Sequence, residues 1–173
     1  SVVKKYANEV INLAGSLREE ANRHNMLITN GTYALASNPK NNLKVPDKKA
    51  SVPYFNFAPL DNALINLEKQ SDNFTKTINK RPLIYHSSKD LNTILRTMER
   101  ALTREHGLPK RPWYKHHIYA PGFYTGYGVK TLPGVREAIE QSEFEQVEEQ
   151  IDILAAVINK FSSKIKEAIS LFE

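Results

Sequence analysis

The sequence predicts an all-α domain, an up-and-down four-helix bundle with a long ordered loop and a short helix before the last helix. Two observations carry this prediction. Apolar residues recur at three- and four-residue steps through four long stretches, the period of an amphipathic helix with one buried stripe. Between the third and fourth stretches, Gly107 to Glu140 gathers Pro109, Pro112, Pro121, Pro133, five of the chain's seven glycines and a crowd of aromatic side chains. Such a segment cannot continue a helix, and chains seldom keep an ordered irregular loop for packing alone. The 173 residues make one domain, 1–173, long enough to bury about two thirds of the unfolded chain's surface without disulfides or metals.

The first helix is expected from Val2 to Met26, with Val3, Tyr6, Ala7, Val10, Leu13, Ala14 and Leu17 as its stripe. Gly15 interrupts it at a cost of about 1 kcal/mol against alanine, and marks either a close helix approach or a weak spot. Over 27–53 the periodicity vanishes. Asn30-Gly31, Asn38-Pro39, Asn41-Asn42 and Val45-Pro46-Asp47 read there as successive turns of a mobile insertion loop. A second helix opens near Pro59, whose missing N–H suits a first turn, presents Ala63, Leu64, Leu67, Phe74 and Ile78, and stops at Arg81-Pro82.

Ser87 or Ser88 caps a third helix, which carries Leu91, Ile94, Leu95, Met98 and Leu102 before Gly107 ends it. Two adjacent amphipathic helices of this length imply an antiparallel pair. A short helix over Pro133 to Glu140 precedes the longest one, about Glu143 to Leu171. There Phe144, Val147, Ile151, Leu154, Ile158, Phe161, Ile165 and Ile169 repeat at nearly the spacing of a helix lying in a seam between others. Ser142 with Glu145 reads as a capping box, and acidic first turns with lysine-rich last turns suit the helix dipole.

The net charge of +5 invites an anionic partner, yet it is dispersed. The Lys40 to Lys49 and Arg104 to Lys115 stretches supply much of the positive charge, whereas Glu143, Glu145, Glu148, Glu149 and Asp152 form an acidic block. This is a mixed-sign solvated surface, and no nucleic-acid partner is expected; a basic helical module binding RNA or DNA is the least favoured alternative. The absence of cysteine removes disulfides, thiolate nucleophiles and Cys-based zinc sites, and leaves the compartment open. No apolar run approaches the roughly 18 residues of a membrane span. A helical pattern opening directly at Ser1, with no signal peptide, fits a piece of a longer chain. The triplets Asn30-Gly31-Thr32 and Asn73-Phe74-Thr75 match the glycosylation acceptor pattern and permit a luminal location.

Catalytic chemistry finds no footing. His116 and His117 are adjacent, but sequence neighbours point different ways, and no Asp, Glu or third His stands at a ligand spacing nearby, so no metal site is expected. There is no GxSxG, HExxH or phosphate-cradling glycine loop, and no catalytic residue is assigned.

The loop has a more specific content. Gly107-Leu108-Pro109, Arg111-Pro112 before the aromatic pair Trp113-Tyr114, His117-Ile118-Tyr119-Ala120-Pro121, Tyr127-Gly128 and the helix-opening Pro133-Gly134 hold fixed spacings over about thirty residues. This pattern resembles the C-terminal helical domain of the glutamate carboxypeptidase II family, which includes prostate-specific membrane antigen and, without peptidase activity, the transferrin receptor. The likeness extends more thinly to Val3-Lys4-Lys5-Tyr6-Ala7, to the first halves of two helices and to the terminal helix.

The resemblance implies a transferrin receptor-like dimerisation domain. Its partners would be a second copy of itself and the protease domain of the same parent chain, where two zinc ions and a general base act on a peptide substrate. No cofactor is implied for this chain itself. The parent would be a type II single-pass membrane protein with this domain extracellular, luminal or vacuolar, touching the membrane only through the parent's anchor. Tyr127 falls on the family's pocket tyrosine, whose hydroxyl bonds a substrate carboxylate. Gly126 stands where the family has a lysine for the same carboxylate, and Lys130 is close enough in sequence to take that role. Arg111, Tyr114, Tyr119 and Pro121 are the expected loop anchors, and Phe144, Val147, Ile151, Leu154 and Ile158 the candidate dimer contacts. Phe123, Tyr124 and Tyr127 either face the pocket or anchor the loop on the bundle. The alternative is the same domain in a peptidase-inactive receptor or trafficking adaptor.

Overall fold

The computed structural model describes residues 1–35, 44–80 and 85–172. The chain forms helix α1 (Val2–Thr29), a single turn α2 (Thr32–Leu35), α3 (Ala58–Lys80), α4 (Tyr85–Thr97) continuing into a 3-10 helix (Met98–Leu102), strands β1 (Tyr119–Pro121) and β2 (Val129–Thr131), α5 (Pro133–Glu140) and α6 (Phe144–Ser170). The two strands pair antiparallel, Tyr119 opposite Thr131 and Pro121 opposite Val129. The fold is all-α, with this small hairpin as its one sheet among the described residues.

The direction of each helix can be read from the contacts along it. Phe55 meets Phe144 with ring centroids 6.0 Å apart, Asn66 donates to Asn159 at 3.1 Å, and Phe74 meets Phe172 at 6.4 Å. Residue numbers rise together along both helices, so α3 and α6 lie parallel. Along α1 they run oppositely: Lys4 pairs with Glu68 at 3.1 Å, whereas Arg18 donates to the Val52 carbonyl at 3.0 Å. The closest pairing is therefore α3 with α6, while α4 leans on α6 and on the 3-10 helix. This corrects the expected pairing of α3 with α4. The physical reason lies in α6, which buries Val147, Ile151, Leu154 and Ile158 and also Gln150, Val157 and Ser162, so it presents apolar surface to several neighbours at once.

That placement also buries four of the five expected dimer contacts within the chain itself. Val147, Ile151, Leu154 and Ile158 are at most 2% exposed within this chain, and Phe144 is half-buried against Phe55. The α6 stripe is consumed by the chain's own core, together with Val10, Leu60, Leu64, Leu132, Val135 and Ile139.

Local signals were read with mixed success. The α1 stripe is as expected, with Ala7, Val10 and Ala14 in the core and Val3, Tyr6, Leu13 and Leu17 packed against it. Ile78 and Leu95 are instead exposed. Of the insertion over 27–53, the first residues complete α1, Thr32–Leu35 form α2, and 44–53 run as an extended strap along α1. Asn25 donates to the Lys49 carbonyl at 2.9 Å and accepts from its N–H at 2.8 Å, and Val52 is buried. The Asn38-Pro39, Asn41-Asn42 and Arg81-Pro82 signals lie outside the described residues.

Ser87 and Ser88 fall inside α4, which starts at Tyr85, and α4 gives way to the 3-10 helix well before Gly107. No capping box opens α6. Glu143 is the N-cap without a side-chain bond, Ser142 has φ +59°, and the Glu143 N–H bonds the Ala138 carbonyl at 2.8 Å across the α5–α6 turn. The last turn of α6 carries no basic residue.

Candidate functional site

The site begins where helix geometry fails. After Leu102 the backbone extends at Thr103, which bridges His116, and the His117 N–H returns to the Leu102 carbonyl at 3.0 Å. Within this fold-back Gly107 has φ +63°, and an added Cβ would lie 2.2 Å from the Pro112 carbonyl oxygen, so only glycine fits. Leu108 and Arg111 form a second bridge, which turns the Arg111 side chain inward, where it is 3% exposed.

A buried guanidinium needs a partner and several acceptors. Arg111 has Glu137 of α5, with Nη2 to Oε2 at 2.6 Å, and its Nη1 donates to the Pro121 carbonyl at the end of β1. The other Glu137 oxygen accepts the Phe123 N–H at 2.8 Å. The Tyr114 and Phe123 rings flank the guanidinium, centroids 5.4 and 5.8 Å from Cζ. One buried ion pair thus joins the fold-back, the hairpin and α5. Removing one member would strand the other charge, at a cost of about 3–5 kcal/mol.

From this root the hairpin projects outward. Ala120 is buried beneath it, and Leu132, buried at φ +50°, closes its base with an N–H bond to the Ile118 carbonyl at 2.8 Å. The Gly122 N–H meets the Gly128 carbonyl at 2.8 Å, and Gly126 turns the tip at φ +62°. Tyr127 is fully exposed and Tyr124 is 75% exposed. A recess of about 330 Å³ lies between tip and α5, lined by Phe123, Tyr124, Lys130, Glu137 and Glu140 among others.

The expected anchors divide accordingly. Arg111 holds the loop through its side chain and Pro121 through its carbonyl. Tyr114 lies beside Arg111 but is partly exposed, and Tyr119 is half exposed, its hydroxyl donating to Glu99 of the 3-10 helix at 2.7 Å. Tyr124 and Tyr127 project from the bundle and do not anchor the loop. Lys130 does not stand free at the tip, because its ammonium sits on the Glu140 carboxylate at 2.8 and 2.9 Å.

Sequence reasoning missed Glu137. Its signal was faint: an acid on a short helix, 26 positions from the arginine it neutralises.

The histidines serve structure. The His116 ring stacks on Tyr119 with centroids 4.2 Å apart, and its Nδ1 accepts from the Ile118 and Tyr119 N–H groups. Burial holds its pKa below the usual histidine range. His117 is 3% exposed, and burial, with Arg104 and His116 nearby, lowers its pKa to about 4. Among the described residues no group of three or more His, Asp or Glu could hold a metal, and no helix is long and apolar enough to cross a membrane. The tip presents phenol hydroxyls and apolar ring edges to solvent.

The family described as transferrin receptor-like dimerisation domain matches residues 55–166, which contain the whole of this site. Similar curated proteins include a probable glutamate carboxypeptidase of Arabidopsis thaliana, 41% identical over 85 residues covering 45% of this chain. Another probable glutamate carboxypeptidase, from Arthroderma benhamiae, is 35% identical over 91 residues covering 53% of the chain. An inactive zinc metalloprotease of Schizosaccharomyces pombe is 25% identical over 97 residues covering 56%. The matched region spans 12% of the length of each of these relatives.

Proposed function

Because the chain belongs to the transferrin receptor-like dimerisation domain family, we propose that it serves as the non-catalytic homodimerisation domain of a glutamate carboxypeptidase-like zinc peptidase, and that its hairpin tip forms one wall of the substrate pocket. The observation that carries the pocket reading is the tip itself: Tyr127 fully exposed on a hairpin whose root is locked by a buried ion pair. A chain that orders a loop so firmly while leaving its aromatic tip in solvent has placed that tip for another surface. In this reading the two zinc ions are held by the protease domain of the parent, and among the described residues no grouping competes for them.

The test uses the full-length protein and N-acylated dipeptides. Tyr127→Ala is expected to raise KM with little change in kcat and no change in dimer mass, because the side chain touches nothing that holds the fold. An unchanged KM across several C-terminal residues would remove Tyr127 from the pocket.

A second reading, a peptidase-inactive receptor or adaptor, is favoured by Gly126 and by the commitment of Lys130 to Glu140, which together leave the tip without a free cation. Gly126→Lys separates the two. In an active parent it should improve selectivity for a C-terminal glutamate by roughly two- to thirtyfold, a charge-assisted bond of about 1.5–3 kcal/mol less about 1 kcal/mol for a lysine at positive φ. In an inactive parent no variant hydrolyses peptide, and metal analysis of the full-length protein shows less than one zinc per chain.

A further inference from the structure

We propose that Arg111 and Glu137 are positioning residues, a clamp that fixes where Tyr127 stands and so sets peptide affinity without touching the peptide. The inference rests on the reading of the tip as a pocket wall.

The hairpin cannot hold its own direction. It pairs only three residues on each strand, and a two-stranded hairpin in water is marginal by itself. Tyr124, Tyr127 and Val129 at its tip are all largely exposed, and beyond the root the bundle holds it through Lys130 on Glu140 and the Phe123 ring beside Arg111. Orientation therefore comes chiefly from the root. There the clamp grips both sides of Gly122, the residue at which β1 becomes the tip. Arg111 holds the Pro121 carbonyl before it, and Glu137 holds the Phe123 N–H after it. The two grips are joined to each other at 2.6 Å and sealed from water, Arg111 at 3% and Glu137 at 12% side-chain exposure. Lys130 on Glu140 braces the second strand, but in a more exposed position.

The chemistry demands these residue types. The guanidinium is a planar fork that reaches a carbonyl and a carboxylate at once, whereas a lysine ammonium is a single point charge on a flexible stem. Glu137 must be ionised and must accept on both oxygens. Glutamine in its place keeps one acceptor and loses the charge that Arg111 needs.

The experiment uses the full-length protein with Arg111→Lys, Glu137→Gln and, for comparison, Tyr127→Ala. Amide hydrogen exchange is followed at Phe123, Gly126 and Tyr127, and KM and kcat are measured on N-acylated dipeptides. Both clamp variants should speed exchange at these amides at least tenfold more than at amides of α3 and α6, whose protection falls only by the loss of global stability. They should raise KM severalfold with kcat within about twofold. Glu137→Gln, which retains the bond to Phe123, should show the smaller effects and serves as the folded variant should Arg111→Lys unfold. Unchanged exchange at the tip in Glu137→Gln would overturn the clamp. Faster exchange with unchanged KM would overturn its positioning role. If Tyr127→Ala alone leaves KM unchanged, the pocket reading has failed instead, and the exchange data still decide whether the clamp exists.

Discussion

His117 shows how a single side chain ties this fold to pH. Its imidazole is buried beside Arg104 and His116, with Nε2 unpartnered among the described residues, and its pKa falls to about 4 from the ordinary 6.5. The unfolded chain therefore takes up a proton at this ring more readily than the folded one. Stability is unaffected above pH 6.5, declines as pH falls from 6.5 towards 4, and loses on the order of 3 kcal/mol when the window has been crossed. Urea unfolding between pH 7 and pH 4 should show this decline, and His117→Gln should flatten it; an equal slope in the variant would assign the acid sensitivity elsewhere. The sequence displayed His116 and His117 as a pair and allowed their dismissal as a metal site. It could not show that one stacks on Tyr119 while the other turns into the core. Arg111 was legible as an anchor from its place before Pro112 and the aromatic pair, but Glu137 was not, because pairing across a hairpin and a helix leaves no local periodicity.

At the scale of elements, the helices were legible and their partners were not. Each stripe fixed a buried face, yet several faces of α6 are apolar enough to bury, and the stripe alone does not say which neighbour takes which. Two predictions belong here. Nothing lies within 4 Å of a Cβ added at Gly15, so that glycine is a weak spot rather than a close approach. Gly15→Ala should stabilise α1 by up to about 1 kcal/mol, seen as a higher urea midpoint with unchanged m-value. The strap over 44–53 depends on polar ties, chiefly Asn25 to the Lys49 backbone and Arg18 to the Val52 carbonyl. Asn25→Ala should accelerate tryptic cleavage after Lys48 and Lys49 severalfold without lowering the global unfolding midpoint. Equal cleavage rates would mean that Val52 and the Tyr54–Arg18 stack hold the strap unaided.

For the whole molecule, self-association has to use surface that folding leaves over. The apolar stripe of α6 is spent on the core, so Ile151→Ala should cost about 2–5 kcal/mol of unfolding free energy and leave association of the folded chain unaltered. The isolated 173-residue chain should associate weakly. If its contact is completed elsewhere in the parent, the translational and rotational cost of pairing stays while part of the buried area is lost. Sedimentation over a concentration series should show a monomer–dimer equilibrium at micromolar or weaker affinity. A concentration-independent trimer would be incompatible with a two-fold dimerisation domain, whose contact uses the same patch on both copies.

By itself the sequence determined the all-α class, the buried face of α1, the break after the third helical stretch and the family to which the loop belongs. These are matters of short-range periodicity and fixed spacing, and both are written locally in the chain. Tertiary structure alone decided that α3 lies parallel to α6, that Val147 and Ile151 face inward rather than towards a second copy, and that Lys130 is neutralised by Glu140. It also decided that Tyr127 stands in solvent on a hairpin held by Arg111 and Glu137. The physical reason is the same in each case. An apolar or charged side chain carries its need for a partner in its chemistry, but the partner is chosen among residues tens of positions away, by packing that only the folded chain completes.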